Sequence, residues 1–568
     1  MKPLCRMLAG LGLSMFSAAT FAAVQCQPTA AGEVYVSFLT SPGKISPYDG
    51  TCWVDGIKIT THDGLKLTAN VFLPKITSAG QKFPTIVMVN SWSMPNWEYI
   101  GQAQRLAKDG YIVFEYASRG WFNSEGMIGV ASPDDIRDTS TMVDWLSSNV
   151  PMDGNNLAIS GISYGAGISL LALEKEPRFK TAAALSGWSS LVEELYYQDT
   201  PDKASTNLLI GVAPLAGRPT DELKQIGKDL LNPDTTQQRA EEIKQWAAVR
   251  SPLTYVDAIN QRRAPVFMSK NYQDDMFTPN SSLKLFSQLQ GPKKLLLNKG
   301  WHAVPEIPGA LLGADNYIYD QAHRWFDYWL KGKDNGIMNE TQIDMEVENK
   351  SGRERLSAWP DPKVNQQTFY IEPRGKIRWD WNCFCAKGDV GHLQTGKSSA
   401  SATDSINNSM DTVANSGIPL IGNLLEGTLG VAPIASMPFV LRDNGVVYNG
   451  KALPTELKLR GTPKVQLNVK PTGPQAQVVA YLYDVDVLGM GTLITHGVRS
   501  LHWATPGQTI AFPVELDMAA YNVPAGHHLA LVVDTQDARY GKASNNWFGV
   551  DFMFSGDLVS SLTIPYIY

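Results

Sequence analysis

Residues 157–168 read LAISGISYGAGI, an apolar run that breaks at a serine with a glycine two positions to either side. Gly161, Ser163 and Gly165 fit the pattern Gly-x-Ser-x-Gly, in which the glycines let the chain turn sharply from strand to helix and leave the serine hydroxyl projecting from the sheet. In a chain with 48 glycines the pattern by itself is weak. Its meaning depends on what surrounds it.

The surrounding segments alternate. PTIVMVN from Pro84 is an apolar strand, NWEYIGQAQRLAKDG from Asn96 an amphipathic helix ending at a glycine, and YIVFEY from Tyr111 a second buried strand. DIRDTSTMVDWLSSN predicts a helix before the strand that ends at Ser163, and GAGISLLALEKE predicts one after it. Strands apolar throughout, alternating with helices, imply a parallel sheet covered on both faces. The expected fold class is therefore α/β, a doubly wound sheet with Ser163 at the carboxyl end of a central strand, where such sheets carry their active sites.

Residues 189–262 break this rhythm with polar helical sequence and read as an inserted helical cap, after which APVFMS and KKLLLN restore strands. Beyond the helix DQAHRWFDYWLKG the helical pattern fades. From 346 to 568, short alternating strands between Pro and Gly turns predict an all-β sandwich, with a weakly patterned loop at about 386–440. The expected division is a catalytic domain over 24–345 and a sandwich over 346–568.

At 568 residues, 43% hydrophobic and 18% charged, the chain is a folded protein too long for one core. Lys2 and Arg6 precede an uncharged apolar run, Met7–Ala22, that ends in small residues. That pattern predicts a signal peptide over 1–23, because the run is shorter than the roughly 18–20 residues needed to span a bilayer. The expectation is an exported protein, periplasmic or secreted, with no membrane attachment after cleavage. Losing Lys2 and Arg6 takes the formal charge of −6 further negative, which excludes nucleic acid as a partner; nothing sets the oligomeric state. Cys26, Cys52, Cys383 and Cys385 would remain, enough for two disulfides. Proximity favours Cys26–Cys52 among three connectivities. Cys383 and Cys385 lack a second ligand pair for a metal, and no ion or cofactor is expected.

A serine hydroxyl becomes a nucleophile only when a base accepts its proton and a third group orients that base. In doubly wound hydrolases the order is Ser, then acid, then His, each in a loop after a later strand. His302 in KKLLLNKGWHAVPE follows a strand at the right stage. APVFMSKNYQDDMFTPN places Asp274 and Asp275 just past the preceding strand; Asp274 is preferred because Phe277 can plug the loop into the core, with Asp275 the competitor. The Tyr164 N–H is the natural first oxyanion donor, and the loop SWSMPNW offers Trp92 as the second.

With GISYG, KNYQDDMF, GWHA and FDYWLKGKDNG in place, the chain resembles the X-Pro dipeptidyl-peptidase and cocaine esterase (CocE/NonD-type) family of α/β hydrolases. YLYDVDVLGMGTLITHGVRS, TPGQTIAFPVEL and YNVPAGHHLALVV resemble that family's C-terminal jelly roll. The resemblance implies Ser163 as nucleophile, Asp274 as acid, His302 as base and the Tyr164 N–H as oxyanion donor. The family's second donor is a tyrosine hydroxyl, and here that position holds Trp92. Its indole N–H can donate but not relay a proton, so either donation or simple packing fits it.

The family includes X-Pro dipeptidases and esterases or acylases. Glu193 and Glu194 could hold a substrate ammonium or could sit on a solvated helix face. Arg119 reads as a structural tie between loops. The resulting expectation is a cofactor-independent serine hydrolase acting on a small ester, an amide or a short peptide. Esterase is preferred to X-Pro peptidase, and a non-catalytic binding protein on the same scaffold is the rival from another class.

Overall fold

The computed structural model describes residues 51–375, 389–418 and 431–568, with the backbone alone of short strands at Glu33–Val34, Gly43–Lys44, Arg378–Asp380 and Cys385–Lys387. The expected signal peptide and the Cys26, Cys383 and Cys385 side chains lie outside the described residues. Cys52 is buried and disulfide-bonded.

The catalytic half is built on one ten-stranded sheet. An antiparallel hairpin, β1 (Cys52–Thr60) and β2 (Lys66–Leu73), leads into β3 (Phe83–Val89), β4 (Ile112–Tyr116), β5 (Met152–Ile162), β6 (Thr181–Leu185), β7 (Val266–Asn271), β8 (Lys293–Asn298), β9 (Ile343–Glu346) and β10 (Arg353–Leu356). Across the sheet the order is β10-β9-β8-β7-β6-β5-β3-β4-β2-β1. Strands β3 to β9 run parallel, while β2 and β10 pair antiparallel with their neighbours. The sheet runs to Leu356, past the boundary expected at 345. The cause is local: Arg353–Leu356 is a charged edge strand that hydrogen-bonds back onto β9, and its sequence lacks the apolar run of the interior strands.

The apolar strands are buried on both faces. Along β3, Val87 and Val89 enter a core shared with α2 (Pro133–Asn149) and α3 (Tyr164–Lys175), while Ile86 and Met88 enter one shared with α1 (Ile100–Lys108) and the helix Tyr317–Lys331. Each fully buried aliphatic side chain of this kind stabilises by about 1.5–3 kcal/mol.

Between β6 and β7 stand α4 (Leu191–Leu195), α5 (Lys203–Ala216), α6 (Asp221–Leu230), α7 (Gln237–Ala248) and α8 (Val256–Arg262). Side chains of Ser190, Asp202, Thr220 and Thr236 cap the first four, satisfying amides that a helix start leaves open. The last helix, α8, packs on α3 and belongs to the sheet's cover, so the cap is shorter than the expected 189–262.

The C-terminal half is all β, one 14-stranded hydrogen-bonded system with a core on each face. On the strand Ala476–Val485, which is paired on both edges, Val478, Ala480 and Leu482 enter one core, and Val479, Tyr481, Tyr483 and Val485 the other. The region expected as a loop at 386–440 contains strands at Gly391–Gln394, Ala402–Asn407 and Ile434–Ser436. These strands are short and polar, and they exist through pairing with partners far along the chain such as Gly549–Phe554, which a local pattern does not reveal. Ala414, Ala435, Met437 and Val440 then cover the second core. Asp484 is buried, accepts from Tyr521 Oη at 3.1 Å and pairs with His527 Nδ1 at 2.7 Å.

Candidate active site

Ser163 sits between β5 and α3 with φ 54° and ψ −114°, a conformation costing a non-glycine residue about 1–3 kcal/mol. The flanking glycines make it possible. A Cβ on Gly165 would lie 2.1 Å from Val89 O, and one on Gly161 would lie 2.5 Å from Gly165 C. The turn therefore seats directly on the end of β3, and the hydroxyl points away from the sheet.

His302 lies in the loop after β8, with Nε2 2.7 Å from Ser163 Oγ and Nδ1 2.8 Å from Asp274 Oδ2. Asp274, just past β7, also accepts from Lys270 Nζ at 2.6 Å and, on Oδ1, from the amides of Met276 and Phe277 at 3.0 Å each. Burial opposes ionisation of this carboxyl, but the charges of His302 and Lys270, and hydrogen bonds from both, hold it well below the usual carboxylate range. Phe277 is buried as expected and packs edge-on against the His302 ring at 5.1 Å between centroids.

Asp275 points elsewhere. Its Oδ1 accepts from the Trp301 indole, and its carbonyl accepts from Ser205 Oγ at 2.8 Å and Arg539 Nη2 at 2.9 Å. Arg539 comes from the β domain and also donates to Asp202 Oδ2 on the cap at 3.0 Å, so one guanidinium ties the acid loop to both neighbours.

Tyr164 opens α3, so its N–H has no acceptor within the helix and stands beside Ser163. Of the two roles left open for the Trp92 indole, donation and packing, its contacts match packing. Its Nε1 donates to Leu209 O on the cap at 3.0 Å, while the ring packs edge-on against Trp121 and Tyr164 with centroids at 4.7 and 5.4 Å. One N–H serves one acceptor, so the indole fastens the cap. Trp92→Phe is accordingly expected to leave kcat within about tenfold of wild type. A lost oxyanion donor would cost about a hundred- to thousandfold, and steady-state kinetics separate the two.

Two family models match: X-Pro dipeptidyl-peptidase (S15 family) over residues 63–304, and X-Pro dipeptidyl-peptidase C-terminal non-catalytic domain over 335–547. The chain belongs to the X-Pro dipeptidyl-peptidase (S15) family of α/β hydrolases. It is a serine hydrolase of that family. A Bacillus anthracis protein provisionally named Xaa-Pro dipeptidyl-peptidase is 23% identical over 76% of this chain and 70% of its own. Among solved structures, a CocE/NonD family hydrolase from Staphylococcus aureus superposes with TM-score 0.67 at 15% identity, covering 91% of this chain and 94% of its own. An aminopeptidase from a marine sediment archaeon, Thaumarchaeota archaeon, gives 0.69 at 14% identity over 94% and 99%. At these identities the structural likeness is one of fold.

In this S15-family chain an apolar pocket opens beside Ser163. Trp92, Trp188, Leu209, Ile226, Trp246 and Phe277 typify its apolar lining. Its carboxylates are Glu194 and Asp202, and both are occupied. Glu194 accepts from Thr278 N at 2.8 Å and from Ser281 Oγ, and burial pushes its carboxyl up to about 8. Asp202 accepts from Ser205 N at 2.8 Å in addition to Arg539. Glu193 faces outward and pairs with Lys284. Arg119 binds Asp138 at 2.7 and 2.8 Å and Asp63 at 2.9 Å, tying two loops together.

Sequence reasoning missed three residues that shape this site. Lys270 is a lysine inside an otherwise uncharged strand, four positions before the acid, which was the available signal. Glu98 is buried and receives Ser91 N and Oγ at 2.6 Å each, anchoring the loop that carries Trp92. Glu306, fully buried, holds Ser186 Oγ at 2.7 Å and Asn271 Nδ2 at 3.2 Å beneath the His302 loop. Glu306 had no local signature, since Ser186 and Asn271 come from distant segments, whereas Glu98 answers Ser91 only seven positions away in the same loop.

Proposed function

We propose that this protein is an exported serine esterase or acylase that cleaves an ester or amide of an uncharged, bulky apolar acyl group through an acyl-enzyme. The observation that carries the reading is the continuous hydrogen-bonded line from Ser163 Oγ through His302 to Asp274, at 2.7 and 2.8 Å, opening onto an apolar cleft. His302 Nε2 takes the Ser163 proton as Oγ bonds to the carbonyl carbon. Asp274 holds the resulting imidazolium, which then protonates the leaving group. Water repeats the sequence to release the acid.

The oxyanion is held by the Tyr164 N–H and, in place of the indole, by the backbone N–H of Trp92, which makes no hydrogen bond within the described residues. Export follows from the leader over 1–23, with Cys26 as the partner of Cys52.

The apolar lining and the two occupied carboxyls favour an ester over a dipeptide, because a substrate ammonium needs an unneutralised carboxylate beside the scissile bond. The naming of the curated relatives supports a second reading, X-Pro dipeptidyl-peptidase. A panel of aryl esters against Gly-Pro and Ala-Pro anilides decides between them. Higher kcat/KM on the esters, rising as the acyl chain grows, is expected; preference for the anilides would reverse the assignment.

A further inference from the structure

A fourth group, and a charged one, joins the Ser163–His302–Asp274 line. Lys270 is 1% exposed and lies on β7, one turn-like step before Asp274. Its Nζ meets Asp274 Oδ2 at 2.6 Å, and that same oxygen receives His302 Nδ1 at 2.8 Å. Its remaining polar contact is Gly187 O at 3.4 Å, and the Phe277 ring lies 5.5 Å away. Two nitrogens sharing one carboxylate oxygen at lone-pair angles stand roughly 4.5 Å apart.

We propose that Lys270 is a positioning residue that neutralises Asp274 from the strand side and so limits how strongly that carboxylate favours the His302 imidazolium. The inference rests on the triad reading above and deepens it. An isolated Asp–His pair favours the imidazolium by unscreened attraction. Here the ammonium offsets that attraction while locking the carboxylate's orientation.

The other charged groups around the pair do not reproduce the effect. Glu306 lies beneath the histidine loop and is held by Ser186 and Asn271. Glu194 faces Lys270 from the cap, bonded to Thr278 and Ser281. Asp275 is turned to Trp301, the buried Asp517 of the β domain faces Asp274 as a like charge, and Arg539 is engaged with Asp202 and the Asp275 carbonyl.

The test is the second-order rate of fluorophosphonate adduct formation on Ser163 as a function of pH, for wild type, Lys270→Met, Lys270→Gln and Lys270→Arg, with circular dichroism reporting folding. Both neutral variants are expected to move the acid limb upward by about one to two pH units, and Lys270→Arg to leave it in place. If the methionine variant does not fold, the glutamine variant, which can still donate to Asp274, carries the test. An acid limb unchanged in a folded neutral variant, whatever its plateau rate, would show that Lys270 only packs. No adduct on folded wild-type protein would instead overturn the triad reading, and this inference with it.

Discussion

Replacing His302 with glutamine is expected to lower kcat by about a millionfold, and adding Ser163→Ala to that variant to cost nothing further. The hydroxyl has one proton acceptor within reach among the described residues, His302 Nε2 at 2.7 Å, so removing the base leaves an un-ionised alcohol and removing the alcohol leaves a base with nothing to activate. Groups that work as a unit fail as a unit. The residual rate over water then comes from the oxyanion donors and the cleft. Turnover of an aryl ester by the two single variants and the double variant checks this, and additive losses would mean that the two side chains act independently.

Asp274→Asn is expected to lower kcat by about ten-thousandfold and also to destabilise the protein. The catalytic loss arises because an amide can present its NH2 to His302 Nδ1 and enforce the wrong tautomer. The stability loss has a separate cause in this chain. Lys270, buried beside Asp274, would keep its charge but lose its carboxylate partner, a change that costs about 3–5 kcal/mol when a buried pair is broken. A fall in Tm should therefore accompany the fall in rate, and Lys270→Met placed on Asp274→Asn should restore part of the Tm. Asp275→Asn should leave kcat within about tenfold, since its carboxylate holds Trp301 rather than the histidine. Equal damage from both aspartate variants would mean that the loop adopts another arrangement during turnover.

The features legible in the sequence are those written in local periodicity. The β3, β5, β7 and β8 strands each carry an apolar run because helices cover both faces, and the serine turn is legible because only glycine fits against Val89 O and the first turn of α3. Chain order then brought Asp274 and His302 to neighbouring strand ends.

What the sequence hid depends on distant segments. The indole of Trp92 is committed to Leu209 O, more than a hundred positions away along the chain, and nothing in SWSMPNW signals it. Arg539 reaches the acid loop from the other domain, and the polar strand Ala402–Asn407 forms only against Gly549–Phe554. Lys270 is the intermediate case. Its strand setting was visible, but its meaning required knowing that its ammonium and the imidazole share one oxygen.

The measurement that tests the central claim most directly is the intact mass of the folded protein and of its Ser163→Ala variant after exposure to a fluorophosphonate. The account predicts a single adduct on the wild type and none on the variant. An unmodified wild type, or an adduct that persists in the variant, would contradict it.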